Sequence, residues 1–285
     1  MGLATGSRLS RMFPRWTRAA ACAGVVLVVL AATAVGSLSA QRRRSGAIAI
    51  AGDRDFDGGF QFCRVAFRQS PDGDGGGWSV DYPQADRNVT VRLSELTKTA
   101  VRLVSGEPQH LVLRLTDDAL FRCPFVMMTE VGAAYIEQQE AERLREYLLK
   151  GGFLWADDFW GSYAWNIWER EIRKVLPAGE YPIVDLPFDH PIYRTQFILK
   201  AGVPQISSIN FWLGTGHASE RGADSAQPHG RAIVDAHGRV LVFMSHNTDI
   251  GDSWEREGED PNYFRLYSVN GYGLGVDVLL YAMTH

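Results

Sequence analysis

The chain has 285 residues, 46% of them hydrophobic and 22% charged, with a formal net charge of −4. Its first 44 residues hold seven arginines and no acid, so the remainder carries 22 basic against 33 acidic residues, a formal charge of −11. That balance excludes a nucleic-acid-binding body, which needs a basic face to neutralise phosphates. The length beyond the basic segment suffices for one large domain with a well-buried core.

Residues 1–18 form a basic N-terminal segment with Arg8, Arg11, Arg15 and Arg18. Residues 19–40 follow as a membrane anchor or signal segment, uninterruptedly apolar and small over 19–36. Such a run exceeds an ordinary signal core and barely reaches a bilayer span as a hydrophobic helix. Ala34, Gly36, Ser37, Ser39 and Ala40 offer cleavage sites, but Arg42, Arg43 and Arg44 stand directly behind them and resist translocation. Arginines on both sides leave the positive-inside rule nearly balanced. The run therefore reads as an uncleaved anchor holding the domain outside the cytoplasm, periplasmic or extracellular, with secretion after signal cleavage as the alternative. Cys22 stands at the start of the run, where lipoprotein processing does not occur. Residues 41–58 read as a polar tether.

The body opens at residue 59. FQFCRVAF alternates and predicts a strand. The loop SPDGDGGGWSVDYPQAD places Asp72 and Asp74 at calcium-loop spacing, but Gly76 and Pro83 occupy the third and last ligand positions, so a calcium loop is rejected. Asp86 or Asn88 caps a helix running to about Lys98, with Val91 and Leu96 inward. HLVLRL and FVMMT predict two strands joined by a short turn through Pro124. In EQQEAERLREYLLKGGFLWADD, Ala141, Leu144, Tyr147 and Leu148 share a helical face. Gly151 and Gly152 stop that helix, because the left-handed position after a helix costs glycine little. Residues 153–156 are short and apolar, which predicts an interior parallel strand with Asp157 and Asp158 at its carboxyl end.

Trp165, Trp168, Ile172 and Leu176 then share one helical face, a core stripe by spacing, and Pro177 ends the helix. Residues 181–186 predict a strand, His190 before Pro191 a turn, and residues 213–230 a polar loop or flap. A hairpin around Ala236, His237 and Gly238 ends at Ser245 and His246, followed by Asp249 and Asp252. A closing helix from about Asn262 carries Gly271, Gly273 and Gly275, which suit close packing against a sheet. The alternation of strands and helices predicts a three-layer α/β domain with a mostly parallel, flavodoxin-like sheet and helices on both faces. Cys63 and Cys123 read as two buried, inert thiols; pairing in an oxidising compartment is the alternative, which their spacing does not decide. The absence of a Cys-X-X-Cys or Cys/His array gives a structural zinc site no support.

The runs F-x-F-x-R-V from Phe60, W-S-V-D-Y-P-x-A-D from Trp78, PFVMMTE, GGFLWADDFW, HPIY and the terminal N-G-Y-G-L-G-V-D-V-L-L-Y-A together resemble the bacterial domain of unknown function 4159. That family is similar in fold to class I glutamine amidotransferases and trehalose-utilisation-type proteins. The resemblance spans nearly all of residues 59–285 and implies one amidotransferase-like α/β domain there. It also implies a setting beside envelope assemblies that contain chaperone ATPases and von Willebrand-type domains. Amidotransferase chemistry needs a cysteine on a strained G-x-C-x-G turn, activated by a histidine–glutamate pair. Neither Cys63 nor Cys123 has that context, and Asp157 and Asp158 stand where a nucleophile would sit. Ser245 and His246 make no G-x-S-x-G elbow, so glutaminase activity is disfavoured.

In open α/β sheets ligands bind outside the carboxyl ends of the strands. Asp157, Asp158, His246, Asp249 and Asp252 are therefore candidates for a polar ligand site, with Asp157, Asp158 and His246 the catalytic candidates. Asp157, Asp158, His246 and Asp249 are candidate ligands of a divalent metal, since carboxylates suit hard cations and a His–carboxylate set suits transition metals. Trp160 is a free aromatic beside them. Arg64, Trp78, Tyr82 and Asp86 line the same crevice by family pattern. Paired carboxylates also suit a hydrolase acting on a sugar-like substrate. Against these readings, Asp157 or Asp158 caps the following helix, or the whole domain is a catalytically inactive scaffold for an envelope protein partner. An uncleaved anchor keeps the full-length chain in the membrane fraction after a carbonate wash; complete recovery as a soluble, shortened chain would show a cleaved signal instead.

Overall fold

The computed structural model describes residues 51–52 and 55–285. The basic segment, the anchor or signal segment with its expected hydrophobic helix, and most of the tether lie outside the described residues. Among the described residues no helix is long and apolar enough to cross a membrane.

Seven strands form the central sheet: β1 Phe62–Val65, β2 His110–Leu113, β3 Val126–Thr129, β4 Leu154–Asp157, β5 Ile183–Asp185, β6 His229–Val234 and β7 Val240–His246. Their order is β2-β1-β3-β4-β7-β6-β5. The first five in that order run parallel, while β6 is antiparallel to β7 and β5 to β6. The longer helices are α1 Gln84–Leu96, α2 Gln138–Leu149, α3 Gly161–Val175, α4 Ile209–Thr215, α5 Ile250–Glu255 and α6 Val269–Thr284. The domain is thus mixed α/β on a mostly parallel sheet, and the strand order reverses between β1 and β3.

Strand β4 is interior, paired with β3 on one side and β7 on the other. Successive side chains of a strand point to opposite faces. Leu154 and Ala156 accordingly enter a core with Leu144 and Leu148 of α2 and Trp168 and Ile172 of α3. Phe153 and Trp155 enter the other core, with Val89 and Leu93 of α1, Trp254 of α5, and Val278 and Leu279 of α6. Helix α2 begins in a capping box between Glu137 and Glu140. It ends as expected: Gly151 has φ +108°, and Gly152 donates its N–H to the Tyr147 carbonyl at 2.9 Å. Gly152 is required for a second reason. The Tyr147 ring lies where a Cβ at 152 would stand, and its hydroxyl meets both the N–H and the carbonyl of Phe153 at 3.2 Å.

Three expectations change. Helix α1 starts at Gln84 without a side-chain cap, so its inward stripe is Ala85, Val89 and Leu93, leaving Leu96 exposed and Val91 half-buried. The link from β2 to β3 is no short turn. Those strands are parallel and flank β1, so residues 114–125 cross over, with a 3₁₀ turn at Asp118–Arg122. The crossover carries Cys123 to Cys63 on β1, and the two form a disulfide with Cα atoms 6.3 Å apart, within bridging range, in place of two inert thiols. Because this bond spans 60 residues of sequence, replacing both cysteines by alanine lowers unfolding stability by about 2–4 kcal/mol. Urea unfolding of the variant, and of the wild-type chain under a reducing agent, measures the same loss.

Candidate functional site

Three strand ends are followed at once by a residue in the left-handed region: Glu130 (φ 51°) after β3, Asp158 (φ 54°) after β4 and Asn247 (φ 63°) after β7. Asp81 (φ 62°), in the loop after β1, is a fourth. Each costs a non-glycine residue on the order of 1 kcal/mol or more, and such conformations persist where the surroundings hold them. Here they turn the chain abruptly off the strand and across the carboxyl edge of the sheet.

Asp157 holds this edge together. It shares the sheet face of Trp155, where its Oδ1 accepts from the Ser245 hydroxyl of β7. Its Oδ2 accepts the N–H groups of Ile250 and Gly251 at 3.0 and 3.1 Å. It therefore anchors the start of α5, far along the chain, and does not cap the helix that follows its own strand. That helix, α3, is met instead by Asn247 Oδ1 on Gly161 N–H and Asp224 Oδ2 on Ser162 N–H, both at 2.8 Å. Burial pushes the Asp157 carboxyl up to about 7.

Helix α5 brings the next two acids. Asp249 caps it by accepting the Asp252 N–H at 2.7 Å. Asp252 Oδ2 accepts from Ile209 N–H at 2.6 Å and from the Tyr263 hydroxyl at 3.1 Å, and burial pushes its carboxyl up to about 6. Arg64 delivers the third. Fully buried on β1, it grips Asp86 through Nε at 3.0 and 3.1 Å, and its NH1 group donates to the carbonyls of Trp78 and Val80 at 3.3 and 3.2 Å. The loop so held places Asp81 against α5 at Gly251, where any Cβ would strike its carboxylate. Oxygens of Asp81, Asp249 and Asp252 lie within 4.8 Å of one another, and all three residues are buried. Asp158 adjoins them, its Oδ1 accepting from the Trp160 indole at 3.0 Å. Burial, and then mutual repulsion, drives Asp81, Asp158 and Asp249 well above the usual carboxylate range. Glu130 completes the cluster beside Asp158, accepting from the Gly76 and Gly77 N–H groups; burial raises it too.

The structure thus brings Asp157, Asp158, Asp249, Asp252 and Trp160 to one edge, as the strand-end argument expects. Arg64 and Asp86 underlie the cluster as a buried ion pair instead of lining it. Tyr82 packs at a tilt against Trp78, ring centroids 5.7 Å apart, and directs its hydroxyl to His110 at the start of β2, 3.0 Å away. His246 departs from expectation. Period-two alternation puts Ser245 beside Asp157 and turns the imidazole to the other face. There it meets the Gly161 carbonyl at 3.0 Å and packs on Phe159, Trp165 and His229. Of the expected set Asp157, Asp158, His246 and Asp249, His246 lies on the other sheet face and Asp157 has both oxygens engaged; the acids whose oxygens come within 4.8 Å of one another are Asp81, Asp249 and Asp252. Sequence reasoning missed Asp81 and Glu130. Their one signal was an acid inside the WSVDYP run and an acid directly after a strand.

These features define a class: an α/β domain with buried acids at the carboxyl edge of its sheet and no free thiol among the described residues. Residues 61–283 match the family described as Domain of unknown function (DUF4159), and the chain belongs to that family. No curated protein matches the chain.

His246 sets a pH dependence. Burial, with Arg231 and His229 nearby, lowers its pKa from 6.5 to about 4. The folded state therefore holds the ring neutral, and this contribution is full above pH 6.5 and lost as pH falls towards 4. The loss amounts to about 3 kcal/mol at most. Urea unfolding from pH 7 to pH 4 checks it: the stability advantage of the wild-type chain over His246→Asn shrinks across that window and is constant above it.

Proposed function

We propose that this domain is a ligand-binding module of the cell envelope, similar in fold to class I glutamine amidotransferases but without their thiol chemistry. Its ligand is a cationic species seated at the carboxyl edge of the sheet. One observation carries the reading: Asp81, Asp158, Asp249 and Asp252 converge in burial, while the buried Arg64 is engaged by Asp86. Carboxyls so placed repel one another unless they keep protons or receive positive charge. An anionic ligand would add to that repulsion. The residues are 4–7% exposed, so the opening suits an ion or a single charged group better than a sugar ring, which favours binding over hydrolysis of a sugar-like substrate.

The disulfide supports the rest. With Cys63 bonded to Cys123, neither sulfur is available as a thiolate nucleophile. Disulfides persist in oxidising compartments, which accords with an N-terminal anchor that holds the domain outside the cytoplasm.

A thermal-shift series on the purified full chain tests the proposal. Divalent cations or small amines at about a hundred times their dissociation constant add about 2.7 kcal/mol, several degrees in melting temperature. Asp158→Asn diminishes the shift. Stabilisation by phosphate, carboxylates or neutral sugars alone would overturn the reading.

A further inference from the structure

We propose that Asp81, Asp249 and Asp252 together ligate one hard divalent cation. This rests on the acidic edge being a ligand site, and it names the ligand.

Asp157 has no carboxylate oxygen to offer, since Ser245, Ile250 and Gly251 engage both. Asp249 commits Oδ1 to the α5 cap and Asp252 commits Oδ2 to Ile209 and Tyr263, which leaves the other oxygen of each. Asp81 Oδ2 is buried with no hydrogen-bond partner. Each of the three residues therefore keeps an oxygen for a ligand. One carboxylate oxygen from each of the three lies within 4.8 Å of the others, a spacing that fits a single ion: oxygens on opposite sides of a calcium ion, at about 2.3–2.6 Å each, stand about 4.6–5.2 Å apart.

Thr129, the last residue of β3, is fully buried and its hydroxyl also lacks a partner. It stands in register with Asp157, on the sheet face that carries Arg64 and Asp157, at the floor of the acidic edge. A buried polar group left unpaired costs about 1–3 kcal/mol. Thr129 at the end of β3 and Asp81 in the loop after β1 are both buried without a partner, and a hydrated cation supplies partners for both: the metal to Asp81, a metal-bound water to Thr129. The donor set is all oxygen, with His246 on the opposite face, so it suits calcium, magnesium or manganese over zinc or copper. The ligands are also held in advance. Arg64 fixes the loop that bears Asp81, and Asp157 fixes the helix start that bears Asp249 and Asp252.

Isothermal titration of the EDTA-treated, dialysed full chain with calcium, magnesium, manganese and zinc chlorides decides the matter. The expected result is one site per chain for calcium or manganese. Asp81→Asn, which breaks no hydrogen bond of the fold, weakens it more than about tenfold, since losing even an outer-shell partner of a metal costs that much. His246→Asn leaves it unchanged, and far-UV circular dichroism confirms that both variants are folded. Absence of divalent binding, equal affinity in folded Asp81→Asn, or a preference for zinc lost in His246→Asn would each overturn the assignment. Stabilisation by a small amine, sensitive to Asp158→Asn, without divalent binding would overturn the cation while leaving the acidic edge as a ligand site.

Discussion

The carboxylate of Asp157 is the interaction on which the carboxyl edge depends. It reaches from β4 to a hydroxyl on β7 and to two N–H groups of α5, so one buried group ties together segments separated by about ninety positions in sequence. A carboxylate in such a place is tolerable only when its lone pairs are met. Arg64 does the corresponding work on β1, binding Asp86 of α1 and two loop carbonyls. The acids that converge above the sheet ride on these two anchors. Removing Arg64 would leave the buried charge of Asp86 uncompensated, which costs more than the bond itself contributes, and removing Asp157 would leave a hydroxyl and two N–H groups without their acceptor.

The sheet also separates two chemistries at the same edge. On the α1 and α5 face stand Asp81, Asp157 and Asp252. On the α3 face His246 packs on Phe159 and Trp165, and Arg231 lies over the Trp165 ring at 4.1 Å. Acid and base sit within a few residues of each other in sequence, yet the pleat keeps them apart. Imidazole and carboxylate therefore do not pair, and the acidic side gains no basic partner from β7.

That separation explains what was legible in the sequence. Residues 137–158 announced themselves because every signal there is local: apolar residues at helical spacing, two glycines, an apolar run too short for a helix. The convergence of Asp157, Asp249 and Asp252 followed from placing parallel strands in one sheet. Whether Ser245 or His246 would face Asp157 depended on the pairing of β7 with β4, where Met244 meets Ala156. A one-residue slip in that pairing exchanges the two. Asp81 and Glu130 were hidden for another reason: their positions come from left-handed backbone held by distant partners, Arg64 for one and the Gly76 and Gly77 amides for the other. Likewise, Cys63 and Cys123 could be joined only once β2 and β3 were known to lie on opposite sides of β1.

The disulfide has a mechanical consequence. It links the start of the sheet to the crossover before β3, enclosing α1, β2 and the loop that bears Asp81. Tension applied at the amino end of the domain would pass through the sulfur bridge and bypass everything between the two cysteines. Extended, that enclosed chain would measure about 200 Å at roughly 3.3–3.6 Å per residue, and none of it could be drawn out while the bond is intact. The segment that positions Asp81 is thus shielded from load by covalent chemistry, whereas the strands that carry Asp157 and Ser245 rely on the sheet's own hydrogen bonds to resist it.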